Sequence, residues 1–107
     1  MNEKKVKWEM LYRRWIHSHE EDSETETVYR PSNFEFPPSR GRTGFELKSD
    51  NSCIEIGIAP TNGLYESQGK WEIEEDDHLK ICFNPQTKDI RIMHVASVDR
   101  NRLVIMK

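Results

Sequence analysis

The sequence predicts an all-β domain: an eight-stranded antiparallel meander closed into a barrel, behind a short N-terminal helix. Three observations carry this. From Trp15 onward apolar and polar residues alternate with a period of two. Short turn-forming clusters separate the alternating segments. Most of the linkers are far shorter than the roughly dozen residues that a crossover between parallel strands needs. Eight strands in a row leave two open edges, which closure into a barrel removes. Two stacked open sheets are the other arrangement such a pattern permits.

The helix is expected over residues 3–12, where Val6 and Met10, then Trp8, Leu11 and Trp15, recur at three- and four-residue spacing with no Pro or Gly between them. Strands are expected over residues 15–21, 26–30, 43–48, 53–58, 67–73, 78–83, 90–97 and 102–106. Between them lie EDSET, SDNS, PTNG, EEDD, NPQTKD and DRN, all rich in turn formers. Phe45 and Leu47, Ile54, Ile56 and Ile58, Trp71 and Ile73, Leu79, Ile81 and Phe83, and Ile90 and Ile92 mark the faces expected to be buried. Glu46, Glu55, Glu72 and Lys80 fall on the wet faces. This phase turns Cys53 and Cys82 outward. Residues 31–42 (PSNFEFPPSRGR) break the pattern: their prolines exclude a central strand. That segment is expected to arch over one end of the sheet with Phe34 and Phe36 folded inward.

A chain of 107 residues has room for one domain, here residues 1–107, with a modest core. Ten aromatic residues (three Trp, four Phe, three Tyr) suffice to anchor it, although a third of the chain is charged. The net charge of −3, with both signs interleaved, argues against nonspecific nucleic-acid binding and against a surface drawn to anionic lipid. Met1–Lys7 is charged and has no leader-like apolar run, and no stretch approaches the ~20 apolar residues of a membrane span. A cytoplasmic location is therefore expected, in which two cysteines without C-x-x-C spacing stay reduced.

Several segments resemble a known family. Leu11-Tyr12-Arg13-Arg14-Trp15 after a short helix is similar to the opening of a lipocalin-like (calycin-type) barrel, with Arg13 where that superfamily has the Gly of G-x-W. Gly69-Lys70-Trp71-Glu72-Ile73, Asp77-His78-Leu79-Lys80-Ile81 and the run from Asp99 to Val104 resemble the close of small bacterial lipocalin-like domains. The segments WIHSHEEDSETETVYRP and FPPSRGRTGFEL are similar to a group of small uncharacterised bacterial proteins of this type. Together these likenesses cover about residues 8–106. They imply a barrel with Trp15 at its closed end, and they say little about function, which has to be argued from a site.

Candidate binding residues follow from the expected phase. Trp15, His17, His19 and Glu21 share one face of an extended strand. With Trp15 plugging the barrel, that face looks into the lumen. Phe45, Leu47, Trp71 and Ile81 join the expected lining, as do Val28, Ile56, Ile92 and His94. Two imidazoles at i and i+2 with a carboxylate, His17, His19 and Glu21, are a possible donor set for a divalent metal. Arg40 and Arg42 flank a glycine and have the chemistry to bind a carboxylate or phosphate, without a phosphate-loop motif. The acidic run from Glu20 to Glu26 lacks the spacing of a calcium loop.

Catalysis finds no signature: no serine sits in a nucleophile elbow, and neither cysteine has an activating motif. The leading expectation is a non-enzymatic binding module for a small amphipathic ligand, with no required cofactor. A filled barrel that binds another protein, or a second copy of itself, is the alternative. Monomer and homo-oligomer are equally compatible with the sequence.

Overall fold

A computed structural model describes residues 8–39, 41–58, 63–74, 78–84 and 89–107. A one-turn 3-10 helix, Trp8–Leu11, leads into strand β1, Arg14–His17. A second 3-10 turn, His19–Glu21, precedes β2, Glu26–Pro31. Then follow β3 (Gly44–Leu47), β4 (Ser52–Ile58), β5 (Leu64–Glu74), β6 (His78–Asn84), β7 (Asp89–Val98) and β8 (Leu103–Met106). All eight expected strands are present. The expected helix over residues 3–12 is represented by its last turn, and residues 1–7 lie outside the described residues.

The strands close into a barrel in which every neighbouring pair is antiparallel, in the order β1-β2-β8-β7-β6-β5-β4-β3. A simple meander holds only from β3 to β8. β1 stands between β2 and β3, and β2 pairs with β8. The first hairpin is therefore transposed relative to the expected order. Because β2 and β3 are both antiparallel to β1, they run the same way, and the chain must return along the barrel between them. Residues 32–43, the one proline-rich linker, supply the roughly dozen residues such a crossover needs. The linker's length was the clue to the transposition.

The barrel core is a single cluster of Leu11, Trp15, Phe45, Leu47, Cys53, Trp71, Leu79, Met93, Val95, Leu103 and Ile105. Leu11 and Trp15 are fully buried, and Trp15 donates its indole N–H to the Leu11 carbonyl at 3.2 Å. Above that plug, the Tyr12 ring meets Trp71 at 5.8 Å, and the Arg13 guanidinium covers the Trp15 ring at 5.6 Å. Trp71 is fixed at the β3–β4 turn, where its indole donates to Lys48 O at 2.9 Å. In that turn Asn51 adopts a left-handed φ of 70° and its amide donates to Trp71 O at 3.1 Å. Asn is among the few residues that take this conformation cheaply. These contacts seal one end of the barrel with aromatic rings.

Register fixes which residues face the lumen, and it reverses the expected phase of three strands. On β4, Cys53 pairs with Leu47 and Glu55 with Phe45. Phe45, Leu47 and Cys53 are all in the core, so Cys53, Glu55 and Gly57 form the inner face. Ile54 and Ile56 point outward, and Ile56 is buried there. On β7 the inward residues are Arg91, Met93 and Val95, whereas Ile92 is 58% exposed on the outer wall. Val28, likewise, pairs with Val104 on the outer face of β2, buried but outside the core cluster. The reason is physical: β4 and β7 carry apolar residues on both faces, and the face with more isoleucines is not the one that meets the aromatic core. Cys53 is thus buried rather than outward. For Cys82 and Ile81 the side chains lie outside the described residues.

Candidate functional site

The inner face divides along the barrel axis. Its sealed half is apolar; its other half is polar and meets solvent. On β1, two residues beyond Trp15, the partly exposed His17 imidazole lies 2.8 Å from an oxygen of Asp22. Asp22 is held from its second oxygen, which accepts the Val28 N–H at 2.8 Å. Tyr29, the register partner of His17, sets its ring 5.5 Å from the imidazole and 5.0 Å from Phe45. Across the lumen, Glu55 on β4 and Arg91 on β7 approach to 3.7 Å. Two polar chains of contact thus reach Phe45, one through Tyr29 from His17 and Asp22 and one through its register partner Glu55 from Arg91.

Electrostatics assigns these groups their roles. Burial pushes the Tyr29 phenol pKa up, the Asp22 charge adds to the rise, and the Arg91 charge opposes it. Tyr29 therefore stays a neutral hydroxyl that can both donate and accept near neutral pH. Arg91 offers a planar cation and Glu55 an anion, so the mouth can meet a polar ligand group of either sign. Phe45 below them is buried in the core, and the partly exposed Tyr29 ring packed on it is the apolar surface at the mouth. Such a mixture of an apolar wall and a few placed polar groups is the usual make-up of a small-ligand site.

Of the expected lining, Trp15, Phe45, Leu47 and Trp71 do face inward, and they pack the sealed half. His17 reaches the mouth. His19 and Glu21 do not share its face, because β1 ends at His17 and the chain turns into a 3-10 helix. Two-residue alternation stops there. The His17 and His19 rings stand edge-on, 6.1 Å apart. Glu21 is taken by Arg30, at 2.6 and 2.8 Å, and by the buried Ser18 hydroxyl at 2.7 Å. Among the described residues no three His, Cys, Asp or Glu side chains converge to hold a metal ion. The set His17, His19 and Glu21 is therefore dispersed by the turn. His94 is also off the lining, exposed on the outer face of β7.

The arginines of the crossover behave differently from the expected anion site. Arg42 grips both oxygens of Glu20, at 2.8 and 2.5 Å, and also donates to the carbonyls of Pro37 and His17. Its guanidinium lies 4.7 Å from the Phe36 ring. Arg30 repeats the arrangement, bound to Glu21 and 4.7 Å from Phe34. Phe34 and Phe36 meet edge-on at 5.0 Å. Adjacent carboxylates on one turn hold two arginines, and each arginine stacks on one phenylalanine of the strap. Both rings are half-buried on these arginines, not folded into the barrel end. The same bonds hold the Glu20 and Glu21 carboxyls at a pKa of about 2, against 4.5 for an ordinary glutamate. Arg40 lies outside the described residues.

Asp22, Tyr29, Glu55 and Arg91 are site residues that hydrophobic patterning misses. A polar inner face gives no apolar signal, and three of the four sit two residues from a buried neighbour that could have set the phase: Tyr29 beside the core, Glu55 after Cys53, and Arg91 before Met93. Fold and site together define a closed eight-stranded antiparallel barrel with one aromatic-sealed end and one polar mouth. Comparison with protein-family models, with curated proteins and with solved structures returned no match.

Proposed function

We propose that the protein is a non-enzymatic binding module of lipocalin-like type, taking a small amphipathic ligand at the polar mouth. One observation carries the reading: Tyr29 and Glu55 stand next to Phe45, with His17 and Asp22 beyond the one and Arg91 beyond the other. The ligand's polar group meets Arg91 and its apolar part lies against the partly exposed Tyr29 ring. The likeness to lipocalin-like domains supports the same arrangement, with Trp15 at the closed end, although the first hairpin is transposed. A ligand for this mouth is small, because aromatic side chains fill the sealed half.

The test is a thermal-shift titration with octanoate, benzoate and their amide counterparts. A compound present at ~100 times its dissociation constant raises stability by about 2.7 kcal/mol. Arg91→Gln should remove the response to the carboxylates, and Tyr29→Phe should weaken it. No shift from any of these compounds would count against the reading.

A second reading has its own observation. Ile92 and Met106 are large apolar side chains exposed on the outer wall of β7 and β8. Exposed apolar surface of this kind favours protein contact when it is contiguous. Sedimentation velocity across a hundredfold concentration range, with Ile92→Lys as the control, tests for self-association through this wall.

A further inference from the structure

We propose that His78 and His94 form a two-imidazole site for a transition-metal ion, with Cu(II) as the preferred occupant. The two residues are direct register partners across β6 and β7. They lie on the outer wall: Leu79 and Met93, their immediate neighbours, both enter the core. The rings are stacked, with centroids 4.7 Å apart and planes 24° from parallel. His94 is exposed and His78 half-buried, so an ion can approach from solvent.

Geometry and chemistry agree. Directly opposed residues on antiparallel strands have Cβ atoms ~4.5–5.5 Å apart. From there, rotation of the two rings brings one nitrogen of each to the ~3 Å separation set by two metal–nitrogen bonds of ~2.0 Å at right angles. A site with two imidazoles and solvent in its other positions follows the usual divalent order, in which Cu(II) exceeds Ni(II) and Zn(II).

Glu74 is the register partner of His78, Met106 of His94, and Glu26 of Met106. The half-exposed Met106, register partner of His94, lies on the same outer face. This site is separate from the dispersed His17, His19 and Glu21 set and does not rest on the mouth as a ligand site.

Calorimetric titration of the full chain with glycine-buffered Cu(II), and with Ni(II), provides the test. One Cu(II) per chain is expected, with paramagnetic resonance showing two coordinated nitrogens. His78→Asn or His94→Asn should weaken binding by more than the ~10–100-fold that loss of a mere supporting partner costs. His17→Gln with His19→Gln should leave it unchanged. In the unmutated protein, Cu(II) should first broaden the ring resonances of His78 and His94, a readout that needs no variant to fold. Full affinity in the double His78→Asn, His94→Asn variant would overturn the proposal, as would first broadening at His17 or His19.

Discussion

Adding one methyl group at Gly44 tests the barrel's closure directly. β1 and β3 pair through Arg14↔Glu46, Trp15↔Phe45 and Ile16↔Gly44. A Cβ placed on Gly44 would collide with the Trp15 carbonyl oxygen and sit 3.1 Å from Ile16 Cα. Both are backbone atoms, so no side chain can swing aside. To restore ordinary contact one strand must move by about 1 Å or more, and Trp15, fully buried in the seal, moves with β1. Overpacking of this kind costs ~1–3 kcal/mol. The ordinary expectation has the opposite sign, because Gly→Ala at an unstrained position stabilises by ~0.4–1 kcal/mol through the unfolded chain. At this length ~1 kcal/mol shifts Tm by about 4–8 °C, so Gly44→Ala should melt at least several degrees below the parent. Urea denaturation with a shared m-value measures the difference. A variant as stable as the parent, or more stable, would refute the close β1–β3 contact.

Further predictions follow from other contacts. Glu21→Gln removes a carboxyl held at about 2 in the fold, against ~4.3 in the unfolded chain. A depressed pKa stabilises above the unfolded value and fades as pH falls towards the folded one. The variant should therefore melt below the parent at pH 7, and the gap should narrow as pH falls from about 4 to 2 in a series of thermal melts. Asn51→Ala loses the amide bond to Trp71 O and places Ala at a φ of 70°. It should cost about 1–3 kcal/mol by chemical denaturation, with Asn51→Gly recovering the backbone part. Cys53 is 1% exposed in the core. In a Cys82→Ser background its thiol should react with a disulfide reagent only as fast as the barrel opens, and fast labelling in native buffer would contradict its inward placement.

Much of the fold was legible because antiparallel strands announce themselves through alternation and turn chemistry. All eight strands are present near where those signals place them, though β1 stops at His17 instead of Glu21, and Trp15, Phe45, Leu47 and Trp71 lie inward as expected. What alternation cannot carry is the choice of face when both are apolar, and Ile54 and Ile56 outweighed Cys53 and Glu55 for that reason. Nor can it carry strand order, since β1 and β2 swap places with no change in either strand's pattern. The site was legible in part. His17 stands at the mouth, but the turn after it separates His19 and Glu21. Arg91 escaped notice and Glu55 was assigned to a wet face, because charged residues on an inner face look like solvent-facing ones. His94 drew attention as a lumen residue, and its partner His78 emerges only from the pairing of β6 with β7.

The pairing of β2 with β8 has a consequence for how the molecule is born. Val28 meets Val104 and Tyr29 meets Leu103, so the seam joins β2 to a strand more than seventy residues later in sequence. On the ribosome the hairpin of β1 and β2 must wait, one flank unmatched, until β8 has cleared the exit tunnel. Contacts this remote in sequence slow folding, because the loop's entropy is lost before any bond across the seam forms. The waiting hairpin is also the segment most open to a chaperone, or to the same hairpin of a neighbouring nascent chain.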